Sequence, residues 1–209
     1  MNYQSLEQQW RSYPRKWDTS YIESMASGIW DDPLSHIKEK VQFLNDWLCR
    51  VDRQIAIPDI ITYSESFNNL LREVSSLDLL SLTNENGDQQ KQIYTLLAKV
   101  NGLGPTGISK YMHMHKPDLF IMWDNQIVRD YFHIKTVSKI TASSKRYVKF
   151  MLRMRDELKE AIHSLASSKS ITETQATTEL RRYFNNDTFP RVLDKYNFVT
   201  RGQSKQLIY

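Results

Sequence analysis

The chain has 209 residues, 40% of them apolar and 11% aromatic. That is enough to bury a substantial core as one domain or two small lobes, and it excludes a disordered polypeptide. The single cysteine, Cys49, excludes an internal disulfide and any four-cysteine zinc or iron–sulfur cage; no metal is expected, and a reducing, cytoplasmic location fits. No stretch approaches the roughly 20 apolar residues of a membrane helix, and residues 1–11 are polar where a secretory signal would be apolar. The net charge of +4 is unevenly spread: residues 99–155 carry eleven Lys/Arg against three Asp/Glu, and the rest of the chain holds seventeen against twenty-one. A basic segment in an otherwise acidic chain suits a polyphosphate partner, although a solvated helix face gives the same pattern.

Apolar spacing predicts helix along most of the chain and no series of strands, hence an all-α protein. Leu34, Ile37, Val41, Leu44, Trp47, Leu48 and Val51 recur at three- and four-residue steps, predicting one long amphipathic helix over 34–51 with Pro33 in its first turn. Ile57-Pro58 reads as a turn, followed by helix over 67–74; Asn86-Gly87 reads as another, followed by helix over 89–100. Helices over 108–115 and 125–132 flank a Lys116-Pro117 turn. Tyr147, Met151, Met154, Leu158, Ala161, Ile162 and Leu165 mark a second long helix. The Ser/Thr-rich stretch 166–178 reads as an interhelical loop opening a capped helix over 173–184, and a last helix over 190–196 follows the Asn185-Asn186-Asp187 turn.

The segment from Val100 to Phe132 is the most specific. A helix ends at Val100, Gly102 and Gly104 flank Leu103, and Pro105 opens the next helix where a missing N–H costs nothing. Both glycines can take positive φ and bring bare backbone to a partner. The small residues Thr106 and Gly107 leave the first helical amides uncovered, a site suited to phosphate. Leu103 is expected to point between the two helices and lock the bend.

This stretch resembles the helix-hairpin-helix and Gly/Pro…Asp signature of the endonuclease III and 3-methyladenine DNA glycosylase superfamily, with Gly102-Leu103-Gly104 as the hairpin and Asp124 as the downstream acid. The resemblance implies a two-lobed helical fold spanning 1–209. One lobe, 30–115, ends in the helix-hairpin-helix at 89–115; the other, 1–29 with 116–209, carries the catalytic Asp. It implies a glycosylase that excises a damaged or modified base from DNA, including hypermodified bases of phage genomes, with no cofactor. Asn101, Gly102, Leu103, Gly104, Thr106, Gly107, Lys110, Arg129 and Lys145 are its expected DNA contacts. Asp124 would stabilise the oxocarbenium-like sugar and activate water; the same residue is also an ordinary N-cap for 125–132, and both roles can hold together. Where some members of that superfamily carry a Schiff-base lysine, this chain has Thr106, which implies a monofunctional, water-using enzyme. Lys110, one turn further on, is an alternative nucleophile or a phosphate-binding lysine.

A flipped base needs an aromatic wall, for which Trp30, Trp47, Tyr63, Phe67, Tyr111 and Trp123 are candidates, as they are for the core. Asn125 and Gln126 adjoin the acid and are placed to touch the sugar or its phosphates. His113 and His115 point to opposite sides of one helix, poor geometry for zinc, and are expected at the surface or on phosphates. Two other readings remain: a noncatalytic helix-hairpin-helix DNA-binding module, and a helical protein-interaction scaffold with no affinity for DNA.

Overall fold

A computed structural model describes residues 1–201, so the last eight positions of the expected 116–209 lobe segment lie outside the described residues. The described residues form ten helices and no strand: α1 Tyr3–Arg11, α2 Arg15–Ala26, α3 Ile37–Asp46, α4 Arg53–Glu73, α5 Gly87–Leu97, α6 Pro105–His115, α7 Asn125–Phe132, α8 Ser144–Lys169, α9 Glu173–Tyr183 and α10 Phe189–Arg201. Several starts are set by side chains that take up otherwise unpaired amides. Asn2 accepts from Ser5 N at 2.8 Å, and Asp52 accepts from the N–H groups of Gln54 and Ile55. Asp124 caps α7, and Thr172 with Gln175 forms a reciprocal capping box on α9. No described helix is long and apolar enough to cross a membrane.

Helix α7 begins and ends where the apolar spacing places it, and the second long helix is α8. The predicted helix over 34–51 is shorter. Leu48 and Arg50 hold positive φ (61° and 53°), and Asn45 bridges the turn, accepting from Val51 N at 2.6 Å and donating to Val51 O at 3.0 Å. Trp47 and Val51 are buried all the same, so the helical period carried on through a loop whose side chains also reach the core. At the other end His36 has φ 54°, and Pro33 and the exposed Leu34 precede the helix. Ile57-Pro58 is no turn: Pro58 lies inside α4, which also contains 67–73. Near the helix start the proline forfeits a single backbone bond, and burial of Ala56, Ile60 and Phe67 holds the helix on either side. Gly87 begins α5, the turn lying before it. The Ser/Thr stretch is helical to Lys169 and again from Glu173, leaving residues 170–172 as the connection. Helices α1 and α2 had no counterpart in the apolar pattern, because α1 buries Leu6 as its one apolar anchor.

Helices α3, α4, α5 and α6 pack on one another; α1, α8, α9 and α10 do likewise, with α7 against α10, and the α5–α8 contact joins the two sets. One continuous apolar core runs through both. Its centre is aromatic: Tyr94 stacks on Tyr147 at 4.9 Å, and Trp123 meets Tyr147 edge-on at 5.0 Å.

The stretch before α7 is a buried, non-helical connector, Leu119 to Trp123. Its backbone groups need partners, since a buried unpaired amide or carbonyl is costly. Neighbouring helices supply them. Ser109 Oγ of α6 accepts from Trp123 N and lies 3.1 Å from Trp123 O, and Tyr147 of α8 donates to Ile121 O at 2.7 Å. His113, completely buried, lies with Nδ1 2.6 Å from Phe120 O and Nε2 2.9 Å from the Tyr21 hydroxyl. A carbonyl can only accept, so Nδ1 carries the proton and Nε2 accepts from Tyr21. The expectation of a surface His113 and His115 is therefore corrected: His115 Nδ1 reaches Trp30 O at 2.9 Å, and burial holds the pKa of both imidazoles down at about 3.

Candidate functional site

The clamped connector delivers Asp124 to the wall of a cleft of about 500 Å³. Its lining comes from Tyr13 between α1 and α2, Trp17 of α2, the strained loop from Trp47 to Arg50, Thr106 and Lys110 of α6, Met122 to Ile127 with Arg129, and Asp194 and Phe198 of α10. Asp124 Oδ1 accepts from Ile127 N at 2.7 Å, which fixes the carboxylate as a cap. Burial raises its pKa above the ordinary aspartate value, against the opposing Ile127 hydrogen bond and the Lys110 charge. The α6 and α7 N-termini meet here: Thr106 Oγ1 is 3.4 Å from Asn125 Oδ1, and no side chain caps α6, so the field of two helix starts falls on one opening.

Lys110 reaches into the cleft, its Nζ 2.9 Å from Trp47 O and 5.1 Å from the Trp47 ring centroid. The lysine thus holds the loop that carries Leu48. That leucine is 56% exposed at a positive φ, an apolar side chain held at the lip of the cleft by backbone that leucine rarely adopts. Arg50, also exposed at positive φ, and Arg129 add charge to the rim. Cys49 is a free thiol in the same wall, its pKa raised by burial.

Asp194 lies in the same wall, 8% exposed. Its Oδ2 accepts from Arg191 Nη1 at 2.5 Å, and Arg191 Nη2 reaches Asp18 at 3.2 Å. The buried guanidinium lies 4.7 Å and 4.3 Å from the ring centroids of Tyr13 and Tyr21. Burial raises the Asp194 pKa, opposed by Arg191 and Lys110 and reinforced by Asp124.

The hairpin takes the expected bend with a different division of labour. Gly102 has φ +74°, and a Cβ there would stand 3.1 Å from Asp52 O, so only glycine sits there without strain. Gly104 instead has φ −80° in extended backbone, with open space where a side chain would project. Leu103 is fully buried against Gly107, where a Cβ would lie 2.6 Å from Leu103 Cδ1. Leu103 and Gly107 therefore shape the bend from inside. Asn101 is exposed, and its N–H and Nδ2 donate to Asp59 Oδ2 at 2.8 and 3.0 Å. The outer surface of the bend is Gly102, Gly104 and Thr106, with Gly102 O accepting from Asp52 N at 3.2 Å and Thr106 Oγ1 beside Asn125.

The basic segment is partly internal. Lys116 donates to Ser75 O and Lys139 to the Ala98 and Val100 carbonyls; Arg146 donates to Thr141 O, and Arg155 to Leu82 O. Lys99, Arg129, Lys135, Lys145 and Lys149 are exposed; of these Arg129 lines the cleft and Lys145 does not. Trp47 and Trp123 are the two proposed pocket aromatics in the cleft wall. Trp30, Phe67 and Tyr111 pack together in the core, and Tyr63 packs against it. Asn125 and Gln126 do line the cleft. The sequence reading missed Tyr13, Trp17, Leu48, Arg50, Asp194 and Phe198, which are remote in sequence from the hairpin. Among the described residues no His, Cys, Asp or Glu cluster has metal-binding geometry.

The model of a family of unknown function, DUF6308, matches residues 47–194, a span that opens at Trp47 and closes at Asp194, both in the cleft wall. No curated protein and no solved structure matches the chain.

Proposed function

The chain belongs to the DUF6308 family of unknown function, and from the cleft itself we propose that it is a monofunctional DNA glycosylase, hydrolysing the N-glycosidic bond of a damaged or modified base. On this reading the fold is the two-lobed glycosylase arrangement, with the cleft between segment 30–115 and the rest. One observation carries it: a rigidly capped, partly desolvated carboxylate, Asp124, faces an opening of base size beside the helix start that follows the glycine bend. The bend and the uncapped α6 amides suit a backbone phosphate, with Arg50 and Arg129 on the rim for its neighbours.

A base inside a duplex must be everted, and an apolar side chain that fills the gap lowers the cost of unstacking. Leu48 fits that task. Trp17, half-buried in the cleft wall, provides a face for the everted base. As the bond from the sugar C1′ to the base nitrogen breaks, its electron pair leaves with the base and positive charge grows on the sugar. The Asp124 carboxylate stabilises that charge and takes a proton from the water that bonds to C1′. Lys110 opposes the effect of burial on the carboxylate and favours its ionised form. Its hydrogen bond to Trp47 O supports a structural and electrostatic role over a nucleophilic one.

The test incubates the protein with duplexes bearing alkylated, oxidised, deaminated or hypermodified bases and measures abasic sites after heating in alkali. The expected result is base release that falls at least ~100-fold in Asp124→Asn, without borohydride trapping on Lys110. Full activity in Asp124→Asn refutes the assignment; duplex binding without release from any substrate favours a noncatalytic hairpin module.

A further inference from the structure

Asp194 is the second carboxylate of the cleft, and the hydrolysis has no use for it. It sits on α10, across from the connector that carries Asp124, and is more than nine-tenths buried. Arg191 holds one of its oxygens from behind, and the guanidinium is fixed by Asp18 and by the rings of Tyr13 and Tyr21. Among the described residues no donor reaches the other oxygen, Oδ1, although the residue lines the opening. A carboxylate tethered on one oxygen and open on the other is a rigid acceptor, and it asks for an N–H donor from whatever enters.

We propose that Asp194 is a specificity residue that reads the base in the cleft, accepting a hydrogen bond from an amino group or protonated ring nitrogen and disfavouring bases whose facing edge offers a carbonyl oxygen. The proposal rests on the reading of the cleft as a base pocket. An amino-bearing base satisfies Oδ1, whereas a carbonyl in the same place sets two acceptors against each other and strips a carboxylate oxygen of water with nothing in return. The half-buried ring of Trp17 in the cleft wall grips any base and leaves the choice between edges to the polar group.

Two readouts on the full chain separate this proposal from the glycosylase reading. The first is binding of free bases in matched pairs, cytosine against uracil and adenine against hypoxanthine, followed by chemical-shift changes of the tryptophan indole N–H signals. The amino member of each pair is expected to bind about tenfold or more tightly, and Asp194→Asn, whose amide can also donate, is expected to erase or reverse the preference. The second is base release from duplexes carrying 5-hydroxymethylcytosine or 5-hydroxymethyluracil. Amino preference in binding without release from any duplex sinks the glycosylase reading and leaves the proposal standing. Release with no amino preference, or a preference unchanged in Asp194→Asn, overturns the proposal and leaves the glycosylase standing. If no base binds and none is released, both fail. The wild-type preference is read without any variant, so a poorly folded Asp194→Asn does not protect the proposal.

Discussion

Replacing Asp124 separately by Asn and by Ala distinguishes its two roles, because the cap and the charge make opposite contributions to stability. The cap is the 2.7 Å bond from Ile127 N to Oδ1. Asn keeps it and Ala loses it, a difference of about 1 kcal/mol, equivalent to roughly 2–4 °C in Tm for a chain of this size. The charge acts against the fold. Burial raises the Asp124 pKa above the ordinary 3.8, so the folded state holds its proton to higher pH than the unfolded chain does. The stability linked to this group is complete below the unfolded pKa and is lost as pH rises through the folded one. Asp124→Asn escapes that loss, so it melts above the wild type, by a margin that grows as the pH rises above about 4. Asp124→Ala melts about 2–4 °C below Asp124→Asn at every pH. Calorimetric melts of the three proteins across this range, alongside base release, provide the check. Parallel wild-type and Asn curves would refute the claim that the carboxylate is desolvated, and equal Asn and Ala curves would refute the cap. A stabilised but inactive Asp124→Asn is the expected signature of a group kept for chemistry at the expense of stability.

Other consequences follow from the same geometry. Leu48→Gly relieves the positive φ of a side chain that is more than half exposed, so stability is expected to stay level or rise by up to about 1 kcal/mol while base release from duplex DNA falls and release from single strands does not; a loss on both substrates contradicts the wedge role. His113 titrates at about 3 in the fold, against an ordinary value of 6.5. Below pH 6.5 the unfolded chain binds a proton that the fold refuses, so stability falls by about 1.4 kcal/mol per pH unit down to about 3. The advantage of wild type over His113→Asn should therefore shrink by about 2 kcal/mol between pH 6.5 and pH 5 in urea titrations; a native imidazole that protonates near 6.5 by NMR excludes this.

The helix content was legible because burial at three- and four-residue steps needs nothing beyond local order: Asn125–Phe132 and the long helix through Tyr147 and Leu165 follow directly. The same rule over-extended at residues 47–51, where Trp47 and Val51 reach the core from a loop, and it gave way at Pro58, where burial on both sides outweighs one lost hydrogen bond. Buried polar residues carry no periodic signal. Ser109 and His113 look like surface residues of α6 until the connector from Leu119 to Trp123 is seen to need their hydrogen bonds. Gly107 reads as a small, open position until Leu103 is found against it.

Taken alone, the amino-acid sequence determined the all-helical class, the glycine bend with its proline-led helix, and Asp124 at a helix start, because each depends on interactions within a few residues. The tertiary structure alone decided that Asp124 faces a cleft, that Leu48 and Arg50 stand at its lip, and that Asp194, held from behind by Arg191, stands in its wall. Those placements depend on segments more than a hundred residues apart meeting across one core, and the local order of residues carries no record of such a meeting.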